Sequence, residues 1–268
     1  MPTLDVNGIG LYYEVAGQGA PLLFLHGLGS CTQDWEFQVA EFSKDYQVIT
    51  FDLRGHGQSA KPRGPYSIEM LASDAAGLLR ALDVQAAHVV GLSLGGAIAF
   101  QMAVSFPALT KTLVVVNSGP DAKLRTVRQK LLVATRIAMV RLLGLRRVGK
   151  ALSTKLFPGP ELAGVRAAFM QRFVRNDRDS YLAALRALLS WSVSAQIGNI
   201  TCATLVIAAD NDYTPVATKE AYVAKIPGAK LVIVPDSRHA LPVEKPRLFN
   251  SALRAFLAEQ STRPASLR

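Results

Sequence analysis

HVVGLSLGGAIAFQMAVS, residues 88–105, is the stretch on which the fold turns. His88, Val89 and Val90 open it as a short apolar run, Gly91-Leu92-Ser93-Leu94-Gly95 interrupts them, and small apolar residues then continue from Gly95 to Ser105 with helical character. A strand that turns sharply into a helix with serine at the apex is the context required of a GxSxG nucleophile elbow. Side chains at Gly91 and Gly95 would collide with neighbouring backbone in so tight a turn, while Ser93 is lifted clear of the sheet. The helix N-terminus beneath Ser93 favours developing negative charge. The plainer alternative is a small-residue helix start with serine as its N-cap.

Outward from this segment, short β-branched or aliphatic runs alternate with helical patterns. That rhythm predicts an α/β fold with an eight-stranded, mostly parallel sheet and helices on both faces. The runs are Thr3 to Val6, Leu11 to Val15, Leu22 to Leu25, Val48 to Phe51, His88 to Val90, Leu113 to Val116, Leu205 to Ala208 and Leu231 to Val234. Asn7-Gly8 joins the first two as a hairpin turn, because both residues tolerate positive φ. Helices are expected over residues 35–43, 68–82 behind the N-cap Ser67, 95–105, 217–225 and 247–259 after Pro246. Between Val116 and Leu205 the rhythm fails, and only helical periodicity remains. Residues 121–196 are therefore expected to form a helical insertion after the sixth strand, divided in two by Pro158-Gly159-Pro160. The core domain would be 1–120 together with 197–268.

The chain of 268 residues carries a formal charge of +10, which raises nucleic acid or an anionic membrane surface as partners. The excess is local: residues 121–196 hold fifteen Lys or Arg against Asp121, Glu161, Asp177 and Asp179. Few aromatics interleave with these charges and no nucleic-acid module is recognisable, so no nucleic-acid partner is expected. No uncharged apolar run reaches the roughly 18 residues of a transmembrane helix. Met1 to Asn7 has no basic-then-apolar leader pattern, and the expected location is cytoplasmic. Cys31 and Cys202 have no metal-ligand spacing and form no disulfide framework, as expected of buried thiols in a reducing compartment.

A serine hydroxyl needs a histidine base, itself held in one tautomer by a carboxylate. His239 follows the last strand, where a loop can carry imidazole over the carboxyl edge of the sheet. His88 lies at the opposite edge, His56 closes a turn, and His26 belongs to a glycine loop. For the acid, the loop after Leu205 to Ala208 offers Asp210 and Asp212, in the chain order Ser, Asp, His expected of this fold. Asp212, further into the loop, is preferred; Asp210 reads as a turn residue, and Asp121 as a distant third that caps the first inserted helix. The two oxyanion donors are expected from the backbone amides of Leu94 and of Leu28 in His26-Gly27-Leu28-Gly29. That glycine loop lacks the third glycine of a dinucleotide site and the Lys-Ser/Thr of a phosphate loop.

Through HGLGS (26–30), DLRGHGQS (52–59), GLSLGG (91–96), AADNDYTP (208–215) and SRHALPVEKP (237–246), the chain resembles the α/β-hydrolase superfamily over nearly its whole length. Within it, RGHGQS, GPYSIE and GLSLGG are similar to the small bacterial serine esterases that include 3-oxoadipate enol-lactonases. Ala209 and Arg238 stand where that group usually has glycine. The resemblance implies that residues 121–196 form a helical cap over Ser93 and that the chain hydrolyses a small or medium carboxylic ester or lactone through an acyl-enzyme, a reaction that requires neither a metal nor an organic cofactor. Carbon–carbon hydrolysis, perhydrolysis and a receptor role use the same fold. The stripe Leu124, Val127, Leu131, Ala134, Ala138, Leu142 is expected to pack inward, over a pocket or on the main domain. The basic charge around it would attract an anionic substrate, an acidic acyl carrier protein or anionic lipid.

Overall fold

The computed structural model describes residues 2–262. Eight strands, β1 (Thr3–Val6), β2 (Ile9–Ala16), β3 (Ala20–Leu25), β4 (Tyr46–Phe51), β5 (Ala87–Leu92), β6 (Thr110–Val116), β7 (Ala203–Ala209) and β8 (Lys230–Val234), form one sheet in the order β1-β2-β4-β3-β5-β6-β7-β8. β2 runs antiparallel to both β1 and β4, and every other pairing is parallel. Asn7 and Gly8 take φ of 53° and 75°, closing the hairpin in which Val6 faces Ile9. The helices among the described residues are α1 (Glu36–Phe42), α2 (Ile68–Ala81), α3 (Leu94–Ser105), α4 (Val127–Leu156), α5 (Ala163–Phe173), α6 (Arg178–Ser190), α7 (Val216–Val223), α8 (Leu241–Glu244) and α9 (Pro246–Thr262).

Alternation along the strands divides the core into two layers. Leu23 and Leu25 of β3, Val89 of β5, and Leu113 and Val115 of β6 join one layer with residues of α2 and α3. Their neighbours Leu22, Phe24, Val90, Val114 and Val116 join the other, with Phe42 of α1 and Phe249, Leu253 and Leu257 of α9. Strands buried on both faces read as continuous apolar runs rather than alternating ones. Arg54 and Asp74 pair inside this frame, with Nε to Oδ2 at 2.7 Å and Nη2 to Oδ1 at 2.8 Å, which ties the loop after β4 to α2.

The stretch between β6 and β7 holds three helices rather than two helical parts. α4 ends before Pro158, while the second part is split into α5 and α6 by Asp177, whose side chain accepts from the Ser180 amide at 2.8 Å as the N-cap of α6. Gly144, at φ 74° and ψ 169°, also breaks α4 internally. Asp121 does not cap α4. Thr126 does so through a capping box with Gln129, while Asp121 pairs with Arg125 and bridges to Ser192.

The orientation of α4 overturns the expected packing of its apolar stripe. Val127, Leu131 and Leu142 are exposed, while Val133, Arg136, Ile137 and Val140 turn inward. The first part of α4 has apolar residues on two sides, and periodicity alone does not tell which side is covered. Val140, Leu145, Val148, Phe173, Tyr181, Leu182 and Leu185 form a small core of this segment. α6 fastens it to the sheet layer through Ala184 and Ala187, and Trp191 just beyond donates from Nε1 to Gln101 Oε1 at 2.7 Å. No helix among the described residues is long and apolar enough to cross a membrane.

Candidate active site

The turn from β5 into α3 places Ser93 at φ 55° and ψ −112°, a conformation rarely adopted outside glycine. The surrounding glycines make this turn possible. A Cβ at Gly91 would lie 2.1 Å from the Gly95 carbonyl oxygen, and one at Gly95 would lie 2.0 Å from that of Leu25. The Ser93 amide donates to the Val116 carbonyl at 3.0 Å, anchoring the apex to β6. Its hydroxyl makes no cap bond to α3, so the simple N-cap account of this serine does not hold.

His239 and Asp212 meet from the loops after β8 and β7, with Nδ1 2.6 Å from Asp212 Oδ1. Asp210 plays a different part: its oxygens accept the amides of Asp236 and Ser237, each at 3.0 Å, and so shape the turn that leads to His239. Two residues escaped the sequence reading. Lys219 of α7 is fully buried and places Nζ 2.7 Å from Asp212 Oδ2, while also donating to Thr214. Asn117, at φ 45° just after β6, donates to the carbonyls of Arg238 and His239 at 3.1 and 3.0 Å and accepts the Ala209 amide at 2.8 Å. It therefore ties the histidine loop to the end of the acid-bearing strand. Burial alone would raise the Asp212 carboxyl, but the hydrogen bond and charge of His239, together with Lys219, outweigh burial and hold it well below the usual carboxylate range. The Tyr213 ring stacks on His239 with centroids 4.4 Å apart.

Gly27 brings the loop after β3 against the apex, since a Cβ there would sit 3.7 Å from Ser93 Cβ. The Leu28 amide belongs to this loop, and the Leu94 amide opens α3, where the first turn has no intrahelical acceptors. His26 braces the loop from behind. Its Nε2 accepts the Leu53 amide at 3.0 Å, and its Nδ1 lies 2.8 Å from the Gly27 carbonyl. Burial pushes His26 down to about 4, and burial with the nearby His26 pushes His56 down to about 3, so both stay neutral at pH 7. His88 is buried in the sheet against the Thr112 hydroxyl at 2.9 Å. Burial raises the thiols of Cys31 and Cys202 to about 12 and about 11, which leaves them protonated at pH 7.

Two cavities meet at Ser93 and His239. One, of about 370 Å³, runs past Asn117 to Ala122 and Tyr222. The other, of about 390 Å³, lies under the inserted helices and is lined mainly by apolar residues such as Leu152, Phe157, Phe169 and Leu188. The two walls are of different origin: the first is built by strand ends and α7, the second largely by α4, α5 and α6. A molecule with a reactive carbon at Ser93 thus has two directions in which to extend.

Residues 22–252 match the model of the alpha/beta hydrolase family, and the chain belongs to that family. It is 30% identical over 264 residues to 3-oxoadipate enol-lactonase 2 of Acinetobacter baylyi, covering 95% of this chain and 96% of that one. Among solved structures it is similar to the enol-lactonase from Burkholderia xenovorans, with TM-score 0.89, 26% identity, and 96% and 100% of the two chains covered. A thermophilic esterase from Thermogutta terrifontis matches with TM-score 0.88 and 26% identity over 98% of this chain and all of that one. The protein is a hydrolase, and its relatives include enol-lactonases, an esterase and a putative carbamate hydrolase of Pseudomonas syringae that is 32% identical over 256 residues, 90% of this chain and 95% of that one.

Proposed function

We propose that this chain is a serine hydrolase that cleaves a carboxylic ester or lactone of small to medium size. The observation that carries the reading is the Asp212–His239 pair at 2.6 Å, opening on the cavities where the strained turn presents Ser93. Ser93 Oγ attacks the carbonyl carbon while His239 Nε2 takes its proton, with Asp212 holding Nδ1–H and stabilising the imidazolium. The carbonyl oxygen becomes an oxyanion that accepts from the Leu28 and Leu94 amides. Collapse re-forms the carbonyl and breaks the bond to the leaving oxygen, which receives the proton from Nε2. In a lactone that oxygen stays tethered to the acyl group. Water then attacks the acyl-enzyme, His239 accepts its proton and returns it to Ser93, and the carboxylic acid departs. The enol-lactonase and esterase relatives support this choice of reaction.

A fluorophosphonate probe should form a stoichiometric adduct on the peptide carrying Ser93, and a panel of p-nitrophenyl esters and simple lactones should be turned over. Peptide mapping that finds the adduct elsewhere, or no adduct beside tight ligand binding without turnover, would overturn the reading in favour of a receptor.

A further inference from the structure

α4 turns apolar residues to solvent on the side away from the cavity. Val127, Leu131, Leu132 and Leu142 are 82%, 66%, 61% and 81% exposed, whereas outside α4 the most exposed large apolar side chain among the described residues is Leu248, at 48%. Helical spacing places Val127, Leu131, Ala134, Ala138 and Leu142 on one side, and all five are exposed. The row is about 22 Å long. Lys130 and Arg141 edge it on one flank and Arg128 on the other, each exposed. None of these three has an acidic partner among the described residues, while Arg125 is paired with Asp121, and Arg172 with Asp34 and Glu36. From Ala122 to Pro160 the chain has ten Lys or Arg and neither Asp nor Glu. The ridge stops where Gly144 breaks the helix at φ 74°, and beyond it Leu145 and Val148 turn into the small core with Phe173 and Tyr181.

A single exposed leucine needs no account, but a continuous apolar row edged by unpaired cations does. We infer that the outer side of α4 lies in the headgroup layer of an anionic lipid surface. Val127, Leu131 and Leu142 reach the acyl boundary, and Arg128, Lys130 and Arg141 sit level with the headgroup phosphates. The ridge is convex, so a rigid partner must bring a matching apolar groove, whereas a lipid layer deforms around it and supplies negative charge on both flanks. A second copy of this chain would set cation against cation. The inner side of the same helix lines the cavity through Val133 and Arg136. Lipid docking and catalysis thus use separate faces of α4, and either can hold without the other.

Vesicles of phosphatidylcholine with one-third phosphatidylglycerol should sediment the full chain, and vesicles of phosphatidylcholine alone should bind it at least about tenfold more weakly. The paired change Leu131→Ser and Leu142→Ser keeps the charge and should weaken binding to the anionic vesicles by about tenfold or more. Replacing Arg128, Lys130 and Arg141 together by Gln keeps the ridge and should cost about 10- to 100-fold on the same vesicles. Both variants should melt within a few degrees of wild type, because the altered side chains are exposed. Trp35 and Trp191 are buried, so a Leu131→Trp variant gives a separate signal, and its added emission should shift to the blue when anionic vesicles are supplied. Equal binding to both kinds of vesicle, binding that ignores the two leucines with no blue shift, or binding to an acidic carrier protein and to no vesicle would each overturn the inference.

Discussion

Ser93→Ala is expected to lower kcat/KM on p-nitrophenyl esters by about 10⁶-fold, the scale seen when the nucleophile of a triad is removed. The size follows from the loss of covalent catalysis as a whole, since the variant leaves no hydroxyl at residue 93 for His239 to activate. The folded state should hardly notice. Alanine carries the same Cβ as serine, so the positive-φ turn is no more strained than before, and the Ser93 side chain makes no cap bond to α3 whose loss would destabilise it. Thermal unfolding of the variant within a few degrees of wild type, together with loss of the fluorophosphonate adduct, would isolate the chemical role. Activity within tenfold of wild type would remove Ser93 from the mechanism.

Asp212→Asn should be the second most damaging change, costing on the order of 10⁴-fold in kcat, because an amide favours the wrong imidazole tautomer and cannot stabilise imidazolium. It also deprives the buried Lys219 of its counterion, which sits 2.7 Å from Asp212 Oδ2. Breaking a buried pair from one side costs about 3–5 kcal/mol, so a stability loss will accompany the kinetic one. Adding Lys219→Met separates the two effects: stability should recover while activity does not. Asp210→Asn keeps one acceptor for the amides of Asp236 and Ser237 and should lower turnover by less than about tenfold. An Asp210→Asn variant more impaired in kcat than Asp212→Asn would transfer the orienting role to Asp210.

Much of the fold was legible because its signals are local. Leu22 to Leu25 and Leu113 to Val116 announce strands by apolar content, and Gly91 and Gly95 announce the turn by an absence of side chains that the structure makes necessary. The placement of His239 and the acid loop followed from their positions after strands. The order β4-β3-β5 had no such signal, because it is set by which strands meet after folding. Lys219 and Asn117 were missed for a related reason. A lysine in an amphipathic helix and an asparagine after a strand ordinarily face water, and only the tertiary structure shows that they hold Asp212 and the histidine loop. α4 illustrates the limit from the other side: its apolar residues were plain to see, and its covered face depended on how α5 and α6 packed beneath it.

Lys219 bears on more than the alignment of Asp212. A triad made only of serine, histidine and aspartate presents one formal negative charge to an approaching molecule when its imidazole is in the base form. Here the buried ammonium cancels that charge, so the resting constellation of Lys219, Asp212 and His239 sums to zero. Under the proposed mechanism, a substrate of either charge would meet no net repulsion from this constellation. In that mechanism, transfer of the serine proton to His239 would make the same constellation net positive beside the tetrahedral oxyanion.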